Sequence, residues 1–507
     1  MESADQGQYD KKKLFRYLVI LGVWTLLWKF SRGYIVLLLP PYLFMLIGQK
    51  RAVDLFFWVM ALISPSIGNP YFFPQNSVTT LVTRLTLMCI AMLLMMRISG
   101  RRAPVILRPL LGIFFYIAWE AVVSMQGYSP IVSYLKLLLF VPLYLAIYAI
   151  ACDVTLSSRA NARIIRTVVL AVCILFIGGS LVLTRFPGIG QMTAMRQTMA
   201  GNDVAELVGR LAAGEDISLF CGMCSHSQAL GPTIALMATL LFADYVFSVR
   251  RKDWIYLGLL LCCPIVIYKT SSRTAMGTYM MGMGMVVYLF MQARAVGQRW
   301  KGKVLTAVFA LGVLALSALF VVPSVRQRTL NYALKFGGGA DRTTKDLTME
   351  NVTSSRMGLA ETSLAGFRKK PLLGNGFQVG WWMQYQRRSG LLSYASAPIE
   401  KGVWPTAVLE EGGVIGLMLF AGFLFVTLVT LVKRHAYCGA CMLWTFMFSN
   451  LGEFNFFTMS YIGGFGWTLI FTGLILDGQR LKTVGLQVFH LPGWEEEIGE
   501  GEGEGER

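Results

Sequence analysis

Histidine is nearly missing from this chain, at three in 507 residues. No HxxE-type metal pair, no Walker loop and no serine nucleophile elbow occurs, so the usual anchors of zinc, nucleotide and α/β-hydrolase chemistry are lacking. Charge is scarce as well: 15% of residues are charged, and the 28 acids are outnumbered by 46 bases. The first apolar run leads into further apolar sequence without a small-residue cleavage site, which argues against a removable signal peptide. Cysteine offers no framework either. Most of the nine lie within apolar segments (Cys89, Cys152, Cys173, Cys262, Cys263), as core residues do. Cys221 and Cys224 have CxxC spacing, but no second pair completes a tetrahedral site, so they read as packing and no metal is expected.

What is present is hydrocarbon. The chain is 55% hydrophobic with a mean hydropathy of +0.56. Runs such as 106–123, 131–152 and 304–322 each approach the roughly 20 residues that cross a bilayer. The expected fold is an all-α polytopic integral membrane protein with about 12–14 transmembrane helices, the first three short and interrupted. Basic clusters recur at Lys11–Lys13, Arg97–Arg102, Arg159–Arg166, Arg250–Lys252, Arg294–Lys303, Lys433–Arg434 and Arg480–Lys482. With these spans all fall on one side. The positive-inside rule makes that side cytoplasmic and places both termini there. Much of the +18 net charge is therefore topological and implies no nucleic acid.

The expected organisation is a basic cytoplasmic N-terminus (1–13), N-terminal helices (14–185), a smaller periplasmic loop (186–218), central helices (219–322), a large periplasmic loop (323–403), C-terminal helices (404–477) and an acidic cytoplasmic tail (478–507). Within the large loop, 336–355 reads as a mobile stretch. From Ser354 or Ser355 onward, apolar spacing through Met357, Leu359, Leu364 and Phe367 predicts a helix that Pro371 and Gly374 stop.

Polar residues at or near the outer face are the candidates for chemistry, because ionisable groups in apolar segments are costly and usually face a partner, a cavity or water. Glu120 and Lys136 lie near facing helix ends and read either as a structural ion pair or as part of a site. Arg273 opens a helix, where the dipole opposes a cation, and so serves an anion or snorkels. His226 heads a helix and reads as a buried, hydrogen-bonded side chain or as a partner of Arg196 and Arg210 on the same loop. Arginines suit bidentate phosphate binding without a metal. The segment APIEKGVWPTAVLEEGGVIG (397–416) packs Glu400, Lys401, Glu410 and Glu411 into the approach to an apolar helix. Glu410 reads as solvated or as a charge favoured at a helix start.

PLLGNGF (371–377), followed about 35 residues later by VLEEGGVIG (408–416), resembles the shared core of the O-antigen ligase and O-antigen polymerase superfamily. Gly374 and Gly376 match its P-x-x-G-x-G pattern, and Glu411, Gly413 and Gly416 match its E-x-G-x-x-G. SSRTA (271–275), SHSQALG (225–231) and the Arg356-led SSRMGLAETSLAGF (354–367) resemble further family segments in the same order. The resemblance covers roughly residues 190–475. It departs at one point: the family's His-Asn before the glutamate falls on Gly402 and Val403, with Glu400 and Lys401 beside it, which marks a variant branch.

The resemblance implies a metal-independent and cofactor-free glycosyltransferase in a bacterial inner membrane. It would move a glycan from undecaprenyl diphosphate to an acceptor hydroxyl on a glycan or lipid at the periplasmic face. A chain-length regulator or export machinery is the further partner implied. Glu400, Lys401, Arg356 and Glu411 are then the expected catalytic residues, with Glu400 ahead of Glu411 as the base. Arg196, Arg210, His226, Arg273, Lys136, Glu120, Glu453, Gly374, Gly376 and Trp404 would bind diphosphate or substrate. Trp381, Trp382, Tyr385 and Trp404 would stack on sugars or form an interfacial aromatic belt. The alternative is a polytopic transporter or flippase of a lipid-linked or small anionic substrate. Such proteins place charge near the bilayer midplane on broken helices in repeated halves, and no internal repeat is visible here.

Overall fold

A computed structural model describes residues 11–74, 77–98, 104–156, 159–193, 218–247, 253–270, 272–292, 349–380, 401–452, 454–458 and 462–483. Apolar runs become helices because a helix satisfies its own backbone where no water can. In chain order these are α1 (Lys11–Phe30), α2 (Leu39–Gly48), α3 (Ala52–Ile67), α4 (Ser77–Ile98), α5 (Ile113–Ser124) and α6 (Pro130–Leu156). Next comes α7 (Arg159–Cys173), which runs through a wider turn at Ile174–Gly178 into Gly179–Leu183. There follow α8 (Ser227–Phe247), α9 (Trp254–Lys269), α10 (Arg273–Gln292), α11 (Met349–Lys369), α12 (Trp404–Lys433), α13 (Tyr437–Ser449) and α14 (Ile462–Thr483).

Among the described residues, five helices are long and apolar enough to cross a membrane. The count is six if α1 and the 34–48 segment, bent by 115°, form one broken span. This is the all-α polytopic membrane class, with the interrupted start that the sequence implies. One short antiparallel pair adds strand: β1 (Gln191–Thr193) against β2 (Ser218–Phe220).

Several expected bounds shift. The 106–123 run is partly a tight 3-10 turn at Arg108–Gly112, which leaves α5 only 12 residues. The large-loop helix α11 begins at Met349, so the end of the stretch read as mobile is helical, and it stops at Lys369 just before Pro371. The 304–322 run lies outside the described residues.

Small residues let the central helices approach. A Cβ built on Gly282 of α10 would collide with Thr239 of α8 and crowd Thr445 of α13, the close contact expected where apolar helices gain nothing from excluding water. Four buried threonines of the central helices are satisfied within their own helix: Thr239, Thr445, Thr468 and Thr472 each donate to the carbonyl one turn back.

The two ends of the bundle are distinct. At one end Ser225 N–H meets Ile67 carbonyl, Trp404 N–H meets Asn450 carbonyl and Phe377 N–H meets Ser124 Oγ. At the other, Arg166 of α7, Asp244 of α8 and Tyr256 of α9 converge, with Phe247 against Tyr437 and Arg480 against His435. The basic clusters at the starts of α7 and α13 and the end of α14 therefore share an end, as their spacing implies.

Candidate functional site: a broken helix closed by a loop

The stretch of α12 that carries Glu410 and Glu411 is not continuous helix. At Gly413 the chain takes φ 66° and ψ −165°, a conformation nearly confined to glycine, and the helix breaks between 404–412 and 414–433. A break in an apolar bundle strands backbone groups that need partners. The loop 371–377 supplies them. Asn375 N–H donates to the carbonyls of Glu410 (2.9 Å) and Glu411 (2.8 Å), and Gly376 N–H to that of Glu411 (2.9 Å). In return Val414 N–H reaches the Pro371 carbonyl at 2.9 Å. The Asn375 amide adds bonds to the Gly366 and Glu410 carbonyls.

Glycine is required at this contact. A Cβ on Gly374 (φ +81°) would strike the Glu411 carbonyl, and one on Gly413 would strike that of Leu372. The two segments that resemble the family core thus dock on each other, backbone to backbone. The docked loop also reaches the α5–α6 hairpin, where Tyr128 N–H donates to the Asn375 carbonyl at 3.0 Å.

Charges gather beside the break. Lys401 Nζ lies 2.9 Å from Glu411 Oε1 and 3.2 Å from Glu410 Oε2, and donates to the Val379 carbonyl at 2.7 Å. All three side chains are buried, at 3%, 0% and 2% exposed for Lys401, Glu411 and Glu410. Burial opposes the Lys401 ammonium, but Glu410 and Glu411 outweigh it and hold its pKa above the usual lysine value. Lys136 of α6, also buried, donates to the Gln378 carbonyl at 3.1 Å. Glu120 of α5 is fully buried against Gly412 and Gly416 of α12, and its neighbour Trp119 donates to the Gly412 carbonyl at 2.8 Å.

The expected site residues sort accordingly. Glu120, Lys136, Lys401, Glu411, Gly374 and Gly376 come together at the break. Trp404 opens α12 beside them, half-buried and edge-on to Phe420 and Phe456, so it packs in the core rather than standing free. His226 caps α8, its Nδ1 accepting from Ala229 N–H at 3.0 Å. Arg273 opens α10 and is half-buried; its neighbour Thr274 packs on Gly452, two residues beyond Asn450, which accepts from Trp404 N–H. Arg356 lies in α11, and its side chain is outside the described residues, as are Glu400, Arg196, Arg210 and Glu453.

Two expectations are corrected. Glu410 is not solvated: it shares the Lys401 ammonium in the protein interior. Of the two readings of Glu120 and Lys136, the ion pair does not form: Lys136 donates to the Gln378 carbonyl, and Glu120 faces the Tyr116 hydroxyl. Asn375 and the break at Gly413 were not singled out at all, although N between two glycines facing an EEGG is the signal that would have found them. Among the described residues no group of three or more His, Cys, Asp or Glu is placed to hold a metal ion.

Fold and site together define a polytopic α-helical bundle with a buried ion cluster at a helix break. No protein-family model and no curated protein matches the chain.

Proposed function

We propose that this chain is a membrane glycosyltransferase of the O-antigen ligase or polymerase type, working at the periplasmic face of a bacterial inner membrane. It transfers a glycan from undecaprenyl diphosphate to an acceptor hydroxyl without a metal. One observation carries the reading: the two segments that resemble the superfamily core, far apart in sequence, close on each other through reciprocal backbone bonds and gather Lys401, Glu410, Glu411, Glu120 and Lys136 at the contact. Lys401 and Lys136 supply positive charge near the developing diphosphate charge, and Arg273 and Arg356 stand on elements that adjoin the same end. The carboxylates orient or deprotonate the attacking hydroxyl.

The transporter reading gains one observation, the broken helix itself, since transporters coordinate ions with the carbonyls such breaks release. Here those carbonyls are occupied by protein donors. Glu410 and Glu411 accept from the 371–377 loop, and Gly412 accepts from Trp119. That favours a fixed scaffold over an ion gate.

The test is to incubate the purified protein in nanodiscs with an undecaprenyl-diphosphate oligosaccharide and EDTA, following lipid and glycan by mass spectrometry. Release of undecaprenyl diphosphate with longer lipid-linked glycan is the polymerase outcome, and transfer to an added acceptor is the ligase outcome. No turnover, with uptake of the intact lipid-linked glycan into vesicles, would hand the function to transport.

A further inference from the structure

Glu120 is the acid at the break that no lysine or arginine among the described residues holds. Glu410 and Glu411 share Lys401, whereas Glu120 is fully buried, no cation among the described residues pairs with it, and the Tyr116 hydroxyl of its own helix is the donor that faces it. Two more buried acceptors flank the docked loop. Asn375 Oδ1, on the loop, has no donor, and neither has Ser133 Oγ, which faces Gly376 from α6. Buried acceptors without donors are rare in folded proteins and mark a missing water, ion or ligand. The local cations do not fill the gap, because Lys401 is held by Glu410, Glu411 and Val379 and Lys136 donates to Gln378. The unmet groups at the seam between α5, α6 and the loop are thus a carboxylate, an amide oxygen and the hydroxyls of Ser133 and Tyr116, a set that suits a ligand whose own O–H groups both donate and accept.

We propose that Glu120 is the carboxylate that receives the acceptor's attacking hydroxyl, with Asn375 Oδ1 and Ser133 Oγ accepting from neighbouring hydroxyls of the same sugar. This rests on the glycosyl-transfer reading. In the step it performs, the acceptor oxygen forms a bond to the anomeric carbon and its proton passes to Glu120. The bond from that carbon to the diphosphate oxygen breaks, and undecaprenyl diphosphate leaves with the electron pair. The loop is tied to the hairpin by Phe377 N–H to Ser124 Oγ and Tyr128 N–H to the Asn375 carbonyl, and its flanks by Lys136 to the Gln378 carbonyl and Lys370 to that of Gln126.

The experiment compares wild type, Glu120→Gln and Glu120→Asp as full chains in nanodiscs. An undecaprenyl-diphosphate oligosaccharide serves as donor and its non-reducing-end trisaccharide as acceptor. Glu120→Gln is expected to melt within a few degrees of wild type, to keep the donor KM and to lose kcat by about 100-fold or more, the range for a displaced general base. Its kcat should also lose the acid limb of the pH profile, while Glu120→Asp retains part of the rate. A bound water would supply the same O–H to these acceptors without acting in the reaction. In that case transfer and donor hydrolysis both stay within a few-fold of wild type in Glu120→Gln, and the proposal is overturned. Should Glu120→Gln not fold, Glu120→Asp decides: a rate equal to wild type overturns the role. A wild type that neither transfers nor hydrolyses defeats the glycosyltransferase reading itself, whatever the variants do.

Discussion

Among the described residues each end of the bundle holds a buried ion cluster, and the Arg166–Asp244 and Lys401–Glu410–Glu411 clusters are built in opposite ways. At the basic end Arg166 grips Asp244 with two parallel bonds of 2.6 Å, and Tyr256 hydroxyl adds a third at 2.9 Å. Three unbroken helices are tied by a guanidinium–carboxylate fork whose charges cancel. At the break end Lys401 divides itself between two acids, a third acid has no cation of its own among the described residues, and the helix carrying the pair is interrupted. The first arrangement is a finished clamp. The second leaves acceptors unmet and stores an unusual backbone conformation, as functional sites do. Burial of charge therefore does not by itself identify the site; the broken helix beside it does.

The comparison breaks most violently at Gly413. Gly413→Ala demands a backbone conformation costing about 1–3 kcal/mol for a side-chain-bearing residue, and its methyl must also displace the Leu372 carbonyl. The expected outcome is loss of monodisperse protein on size exclusion in detergent; a variant that purifies and melts like wild type would show that the break is not needed.

Removing one cation from each end comes next. Lys401→Ala and Arg166→Ala each leave buried carboxylate uncompensated, and each is expected to cost about 3–5 kcal/mol in thermal or denaturant unfolding. They should part in function: protein that remains folded with Arg166→Ala keeps wild-type turnover per molecule, whereas Lys401→Ala does not. Equal loss of turnover in both would erase the distinction between clamp and site.

Asn375→Ala is a milder probe, since it withdraws one amide from the Gly366 and Glu410 carbonyls, at about 1–3 kcal/mol. Its turnover should fall further than its stability if the loop sets the position of Glu410 and Glu411. The smallest effect belongs to the apolar replacement Arg166→Met, Asp244→Leu, Tyr256→Phe, which removes the clamp without leaving an orphan. Buried ion pairs replaced this way are often neutral or stabilising, so an unchanged or higher melting midpoint with full turnover is expected. The matching exchange Lys401→Met, Glu410→Leu, Glu411→Leu should melt similarly and be inactive.

How much of this was legible in the chain follows from the range of the interactions. Glu120 and Lys136 were readable because each is an ionisable residue within an apolar run, and Gly374, Gly376 and Glu411 because a motif marks them. Glu410 was misjudged because the neighbouring charges of a helix start look alike in sequence. Which of two adjacent acids is buried depends on the direction each side chain takes, and here the break at Gly413 turns both toward Lys401. The 12-residue α5 was hidden because a hydropathy run does not reveal where Pro109 tightens it into a 3-10 turn.

The sequence alone determined the class of this protein. With 55% hydrophobic residues and basic clusters at recurring intervals, helices that satisfy their own backbone are the only economical structure, and that is a property of composition and local hydrogen bonding. Tertiary structure decided the site. The partners of Glu411 come from Lys401, ten residues away, and from a loop about 35 residues away, while Glu120 arrives from nearly 300 residues away. No local pattern records such distances. The charges could be buried only where a second segment arrived with backbone donors for the broken helix, and that meeting exists only in the folded chain.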